Sequence, residues 1–149
     1  MKNNHTLIIG SGIVGATLAL KLAQDKMPVT LIDARHARDE SAWLNVLSKR
    51  DARVYALSMA SINLLEDIGA WQHIATSKRK ADYSQMQVWQ LNGMGELLFG
   101  ESEDSGAEDN SSKNHESTLL GSMVEPAVIE YALWQRLHEA DFSDYLTLI

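Results

Sequence analysis

Cysteine is absent from the 149 residues, which excludes a disulfide framework, a thiolate metal site and a cysteine nucleophile, and suits a reducing cytoplasm. Basic clusters are scarce. The one dense run, Lys78-Arg79-Lys80, reads as a solvated loop, and the net charge of -7 argues against a nucleic-acid partner, because phosphate affinity comes from grouped Lys and Arg. Long apolar runs are missing too. Leu7-Ile8-Ile9 is far too short for a signal-peptide core or a membrane span, so the chain is expected to be cytoplasmic, either soluble or peripheral to a membrane. The five histidines show none of the short spacings that place two on one metal, and no G-x-S-x-G nucleophile elbow is present. Trp43, Trp71, Trp89 and Trp134 read as core or interface anchors, since no basic groove accompanies them.

What is present is enough apolar content, 45%, to build a core. Thr6 to Ile9 reads as a buried strand ending at Gly10. Val14, Leu18 and Leu22, with Ala19 and Ala23 beside them, then fall at helical spacing until Met27-Pro28 breaks the helix. Val29 to Ile32 is a second buried strand, so the first 33 residues predict a β-α-β unit with parallel strands. The stretch from Arg35 to Arg50 is mostly polar and reads as an excursion from the sheet. A second helix carries Ile62, Leu65 and Ile68 on one face, with Ser58 or Ser61 as cap and Gly69 as stop.

Tyr83 to Leu91, the turn signal Asn92-Gly93 and Glu96 to Phe99 predict a β-hairpin. Residues 100 to 118 hold six acids and one lysine with almost no apolar residue, the composition of a flexible acidic loop. Glu125-Pro126 then reads as an N-cap and first-turn proline for a third helix with Ile129, Leu133 and Leu137 as its stripe, and Tyr145 to Ile149 resumes a strand pattern. The organisation expected is residues 1–82 as the nucleotide-binding unit and following helices, 83–99 as the hairpin, 100–118 as the acidic loop and 119–149 as a return to the first unit. The fold class is α/β, Rossmann-like, with a parallel central sheet.

Chemistry is concentrated in Gly10-Ser11-Gly12-Ile13-Val14-Gly15, which sits between a strand and a helix. Gly10 allows the tight turn, Gly12 lets a diphosphate approach the backbone and Gly15 lets helix and strand pack closely. The helix start offers free N–H groups and a positive dipole end. Asp33, at the end of the second strand with Ala34 after it, is placed to accept hydrogen bonds from ribose hydroxyls. Its charge would repel a 2′-phosphate, which favours FAD or NAD over NADP at this site. Residues 10 to 15, Asp33 and Ala34 are the candidate cofactor-binding residues. The glycines and acid alone leave FAD and NAD open.

Asp51-Ala52-Arg53-Val54-Tyr55-Ala56-Leu57-Ser58, continuing through Ser61, Leu64-Leu65 and Gly69-Ala70-Trp71, resembles the second signature of the ubiquinone-biosynthesis branch of flavin aromatic hydroxylases. Gly121-Ser122-Met123-Val124-Glu125-Pro126-Ala127-Val128-Ile129 is similar to the segment that returns the chain to that family's nucleotide domain, but it has Glu-Pro-Ala where the family has Glu-Asn-Arg. No flavin contact is carried over to that position. The resemblance implies FAD as cofactor, NADPH or NADH as electron donor, and Arg53 lying against the FAD, where a guanidinium can offset diphosphate charge. On the residues alone, Arg53 pairing with Asp51 is the simpler reading.

The resemblance further implies a monooxygenase that uses O2 to hydroxylate a polyprenylated phenol or quinol in ubiquinone biosynthesis, peripheral at the inner membrane face and near other proteins of that route. Because the cofactor carries the difficult step, no catalytic side chain is expected to stand out. The family's second flavin segment, with a Gly-Asp pair, lies downstream of the matched region, so the chain is expected to be the N-terminal portion of a longer enzyme and inactive alone. Two other readings stay open: a different FAD- or NAD-dependent oxidoreductase with the same β-α-β unit, and a non-catalytic nucleotide binder.

Overall fold

The structure, a computed structural model, describes residues 5–34, 39–91, 93, 95–100 and 119–149. Strand β1 (Thr6–Ile9) leads into helix α1 (Ile13–Gln24) and strand β2 (Val29–Ile32). The two strands pair in parallel, Thr6 opposite Val29 through Ile9 opposite Ile32, as the β-α-β pattern predicts. Helix α2 (Glu40–Leu47), β3 (Tyr55–Ser58), α3 (Met59–Asp67), α4 (Trp71–Thr76) and β4 (Lys80–Tyr83) follow. Then come β5 (Met86–Trp89), β6 (Glu96–Phe99), β7 (Gly121–Val124), α5 (Pro126–Leu137), a short 3-10 turn and β8 (Leu146–Leu148).

Strand β8 returns to pair in parallel with β2 and completes a sheet of order β1-β2-β8. Paired residues share a face, so Ile8, Val29, Leu31, Leu146 and Leu148 lie on one side of this sheet, and these residues belong to or pack against the core. Helix α1 covers that side. The other side is more open: Leu7 is 58% exposed and Ile9 81%. The expectation of a strand buried on both faces therefore holds for β2 and fails for β1, an edge strand with one covered face.

Helix α1 also turns differently from its apolar spacing. Val14 is 82% exposed and Leu18 is exposed as well, while Ala16, Ala19, Leu20 and Ala23 are buried. Alanines at i, i+3 and i+7, with Leu20 at i+4, let the helix lie close to the sheet and to α5, whose Val128, Ile129, Ala132, Leu133 and Leu137 fill the same core.

A second sheet is antiparallel, with β7 between β3 and β4. Helix α3 follows β3 directly and buries Ile62 and Leu65 as the pattern predicts. Its cap is Ser58, whose Oγ accepts the Ser61 N–H at 3.4 Å, and Gly69 follows its end at φ +79°. The hairpin β5–β6 pairs Met86 with Phe99 through Trp89 with Glu96, and all eight strand residues are exposed.

Helix α2 occupies part of what reads in sequence as a polar excursion. Asp39 starts it by accepting the Ala42 N–H at 2.8 Å, and Trp43 is buried. Trp71 is buried too, whereas Trp89 stands on the exposed hairpin. The acidic stretch from residue 101 to 118 lies outside the described residues.

Candidate functional site

The carboxyl ends of the three parallel strands meet at one edge of the first sheet. Gly10 N donates to Ile32 O at 2.7 Å and Asp33 N donates to Ile149 O at 3.0 Å, so the chain stays tied across all three strands where it turns away. Ligands of open parallel sheets bind at this end.

The turn itself is shaped by what its glycines lack. Gly10 has φ +103°, a conformation that side chains oppose. At Gly15 an added Cβ would stand 1.9 Å from the Gly10 carbonyl oxygen, so only glycine lets the first turn of α1 rest on the loop below it. Gly12 differs from both: its φ is ordinary at -63°, and among the described residues nothing lies within 4 Å of where its Cβ would be. Among the described residues, the bend is therefore open at Gly12. Among the described residues no side chain caps α1, and no acid stands in its first turn, which leaves its N-terminal N–H groups and dipole end facing the opening. Ile13 and Val14 supply that first turn, and the Val14 side chain points outward.

Asp33 closes the other wall. Its Oδ2 accepts the Ser11 N–H at 2.5 Å, so the carboxylate is turned toward the glycine loop and braces it; Ala34 follows as an exposed turn residue. Glycine turn and acid are thus brought together as the sequence spacing requires.

Arg53 lies elsewhere in the bonding pattern. It is on the segment between α2 and β3, its side chain is 80% exposed, and its bonds among the described residues go to Asp51. Arg53 Nε and Nη2 fork onto the two carboxylate oxygens at 3.2 and 2.9 Å, and the Arg53 N–H donates to Asp51 Oδ1 at 2.9 Å. The fork holds the Asp51 carboxyl below its ordinary range and raises the guanidinium. The structure joins Arg53 to Asp51 and, among the described residues, forms no bond between Arg53 and the glycine turn.

A polar cluster that sequence reasoning missed lies beside this segment. Glu125 does precede α5, and Pro126 does take the first turn, but the Glu125 side chain makes no capping bond. Its carboxylate is 5% exposed and accepts Arg79 Nε at 3.0 Å, Arg79 Nη2, Arg50 Nη1 at 3.3 Å and the Asp51 N–H at 2.8 Å. The Arg79 bonds, chiefly, pull the Glu125 carboxyl below the usual carboxylate range. Arg79 also donates to the carbonyls of Leu47 at 2.6 Å and Lys49 at 3.0 Å.

The reading of Lys78-Arg79-Lys80 as a solvated loop is thereby corrected: the Arg79 side chain is only 15% exposed, and Lys80 opens β4 and pairs with Asp82. Two charges buried together survive only when hydrogen bonds satisfy both, and here they do. The partners lie 46 and 74 residues from Glu125, too far apart for any local signal.

Solved structures share this architecture. The tetrameric form of 2-methyl-3-hydroxypyridine-5-carboxylic acid oxygenase matches with a TM-score of 0.56 at 15% identity, over 100% of this chain and 32% of that one. A peptidyl tryptophan dihydroxylase essential for tryptophylquinone cofactor biogenesis matches at 0.50 and 16% identity, over 97% and 24%. The fold is thus the mixed α/β fold, with a parallel sheet, found within these oxygenases.

Sequence comparison is more specific, although no family model matches the chain. The 3-demethoxyubiquinol 3-hydroxylase of Escherichia coli (strain K12) is 35% identical over 130 residues, 87% of this chain and 29% of the relative. The mitochondrial ubiquinone biosynthesis monooxygenase COQ6 of Homo sapiens is 29% identical over 147 residues, 96% of this chain and 27% of the relative. By sequence the chain is similar to part of the ubiquinone-biosynthesis hydroxylases, and it spans less than a third of the length of these relatives.

Proposed function

We propose that the chain holds the ADP half of FAD in a flavin-dependent monooxygenase that hydroxylates a polyprenylated phenol or quinol with O2, using NADPH or NADH as electron donor. The observation that carries the reading is the open bend at Gly12, beneath an uncapped helix start and walled by the Asp33 carboxylate. In this arrangement the N–H groups at the start of α1 receive the diphosphate. The Asp33 carboxylate, braced by Ser11, accepts from the ribose hydroxyls and disfavours a 2′-phosphate. Arg53 adds positive charge near the phosphates.

When bound, the flavin supplies the redox chemistry by which O2 hydroxylates an electron-rich ring. The protein's part is to position the cofactor and the ring and to exclude water. Among the described residues no helix is long and apolar enough to cross a membrane. We place the protein in the cytoplasm, peripheral at the inner membrane face, where a polyprenylated substrate and other ubiquinone-biosynthesis proteins would be met.

The test is spectroscopic. Intact protein purified from its host should be yellow, with flavin absorbance that NADPH or NADH bleaches and that O2 with a polyprenylated phenol restores. Colourless protein that binds neither FAD nor ADP would overturn the proposal, and oxidation of an amine or hydroxyl without ring hydroxylation would move it to another oxidoreductase class.

A further inference from the structure

We propose that Glu125 is a positioning residue for the cofactor site, acting through Asp51 to aim Arg53 at the diphosphate; this rests on the FAD reading above. The connection from Leu47 to Tyr55 joins α2 to β3, and its backbone groups must find partners outside a ladder. Three of them find those partners in the Glu125–Arg79 cluster. Arg79 takes the carbonyls of Leu47 and Lys49, and Glu125 takes the Asp51 N–H and the Arg50 guanidinium. Glu125 is buried and its partner Arg79 largely so, and Glu125 is the residue that joins β7 to α5, whose Val124, Val128 and Ile129 belong to the core. The anchor is therefore rigid, and the segment tied to it inherits that rigidity.

Asp51 passes the constraint on. With its backbone fixed by Glu125, its carboxylate accepts the Arg53 N–H and forks with Nε and Nη2 of the same residue. A guanidinium carries five N–H donors, so this fork leaves three for an anion, on a side chain that is otherwise 80% exposed. A long exposed arginine normally loses rotamer freedom when it binds. Here the freedom is already restricted by an acid whose own position is set from the core.

A double-mutant cycle on the intact protein tests this, read as the dissociation constant of FAD for the apoprotein by flavin fluorescence. Glu125→Gln and Arg53→Ala should each weaken FAD about 10-fold, and the double variant should also be weaker by about 10-fold rather than 100-fold, because both changes remove one interaction. Multiplicative losses, or wild-type affinity in Glu125→Gln, would overturn the positioning role while leaving the FAD reading intact. Wild-type protein that binds no FAD would overturn the FAD reading, and this role with it.

Should Glu125→Gln fail to fold, Arg79→Lys, which keeps the charge and loses the fork, takes its place in the same cycle with the same two outcomes. Amide exchange gives a readout independent of flavin. The Asp51 and Arg53 N–H groups should be protected in the wild type, and exchange at the rate of open chain would contradict the relay.

Discussion

The glycine turn and the Glu125 cluster both manage charge, and they do so in opposite ways. The turn is made of backbone: a glycine bend, the N–H groups of a helix start that no side chain among the described residues caps, and one carboxylate bracing the loop. The cluster is made of side chains, with buried Glu125 and largely buried Arg79 satisfying each other and the chain between α2 and β3. The first leaves room for something else to complete it, whereas the second completes itself. A polar site open to a ligand and one closed on itself differ in how they respond to substitution, which separates function from stability within one small fold.

The largest effect is expected where the two designs meet the packing. Gly15→Val places atoms against the Gly10 carbonyl, and urea unfolding should show a loss of about 3 kcal/mol or more, in line with overpacking against backbone that cannot move aside. A melt within about 1 kcal/mol of wild type would mean that α1 rides farther from the loop than described.

Glu125→Ala should follow closely. It leaves Arg79 buried without its anion, and breaking such a pair costs about 3 kcal/mol, the two remaining carbonyl bonds holding it toward the lower end of that range. Adding Arg79→Ala should cost less than the sum of the two single changes, since the stranded charge goes with it; full additivity in the melts would deny the coupling.

Acid sharpens the same contrast. Because Arg79 lowers the Glu125 carboxyl in the folded chain, the stability it gives is complete above the ordinary glutamate range and is lost as pH falls through the lowered value. The gap in stability between wild type and Glu125→Gln should therefore close as pH drops below about 4, and a gap that stays constant would show the ion pair to be inert.

The effect of Asp33→Asn is expected to be smaller and confined to binding: about a 10-fold loss of FAD affinity, with better acceptance of a 2′-phosphorylated adenosine diphosphate, measured by calorimetry. Unchanged affinity for both ligands would remove Asp33 from the ribose.

How far each region was legible in the sequence follows from the same difference in construction. The β-α-β unit and its turn could be read because every partner is near in sequence: three glycines within six residues and an acid at the end of the next strand. Helix α3 was legible for a similar reason, with Ser58, Ile62, Leu65 and Gly69 all local. Exposure of β1 could not be read from Thr6 to Ile9, since Leu7 and Ile9 look alike whether or not a layer covers them. The buried face of α1 was hidden because three alanines and one leucine, Leu20, make it, while Val14 and Leu18 face outward.

The Arg79–Glu125 pair joins positions 46 residues apart, and nothing in Lys78-Arg79-Lys80 marks the middle residue as the buried one. Helix α2 was the recoverable omission, since Asp39 before Ala42, with Trp43 and Leu47 one turn apart, is a helix-start pattern.

The central claim is that the open bend at Gly12 receives the diphosphate of FAD, and Gly12→Val tests it most directly. Among the described residues no atom lies within 4 Å of the new Cβ and the backbone angles suit any residue, so thermal stability should fall by no more than about 1 kcal/mol, the helix-cap difference between glycine and valine. Titration of the intact protein with FAD should meanwhile show binding by the wild type and its loss in the variant. Equal FAD affinity in a folded Gly12→Val protein would contradict the account.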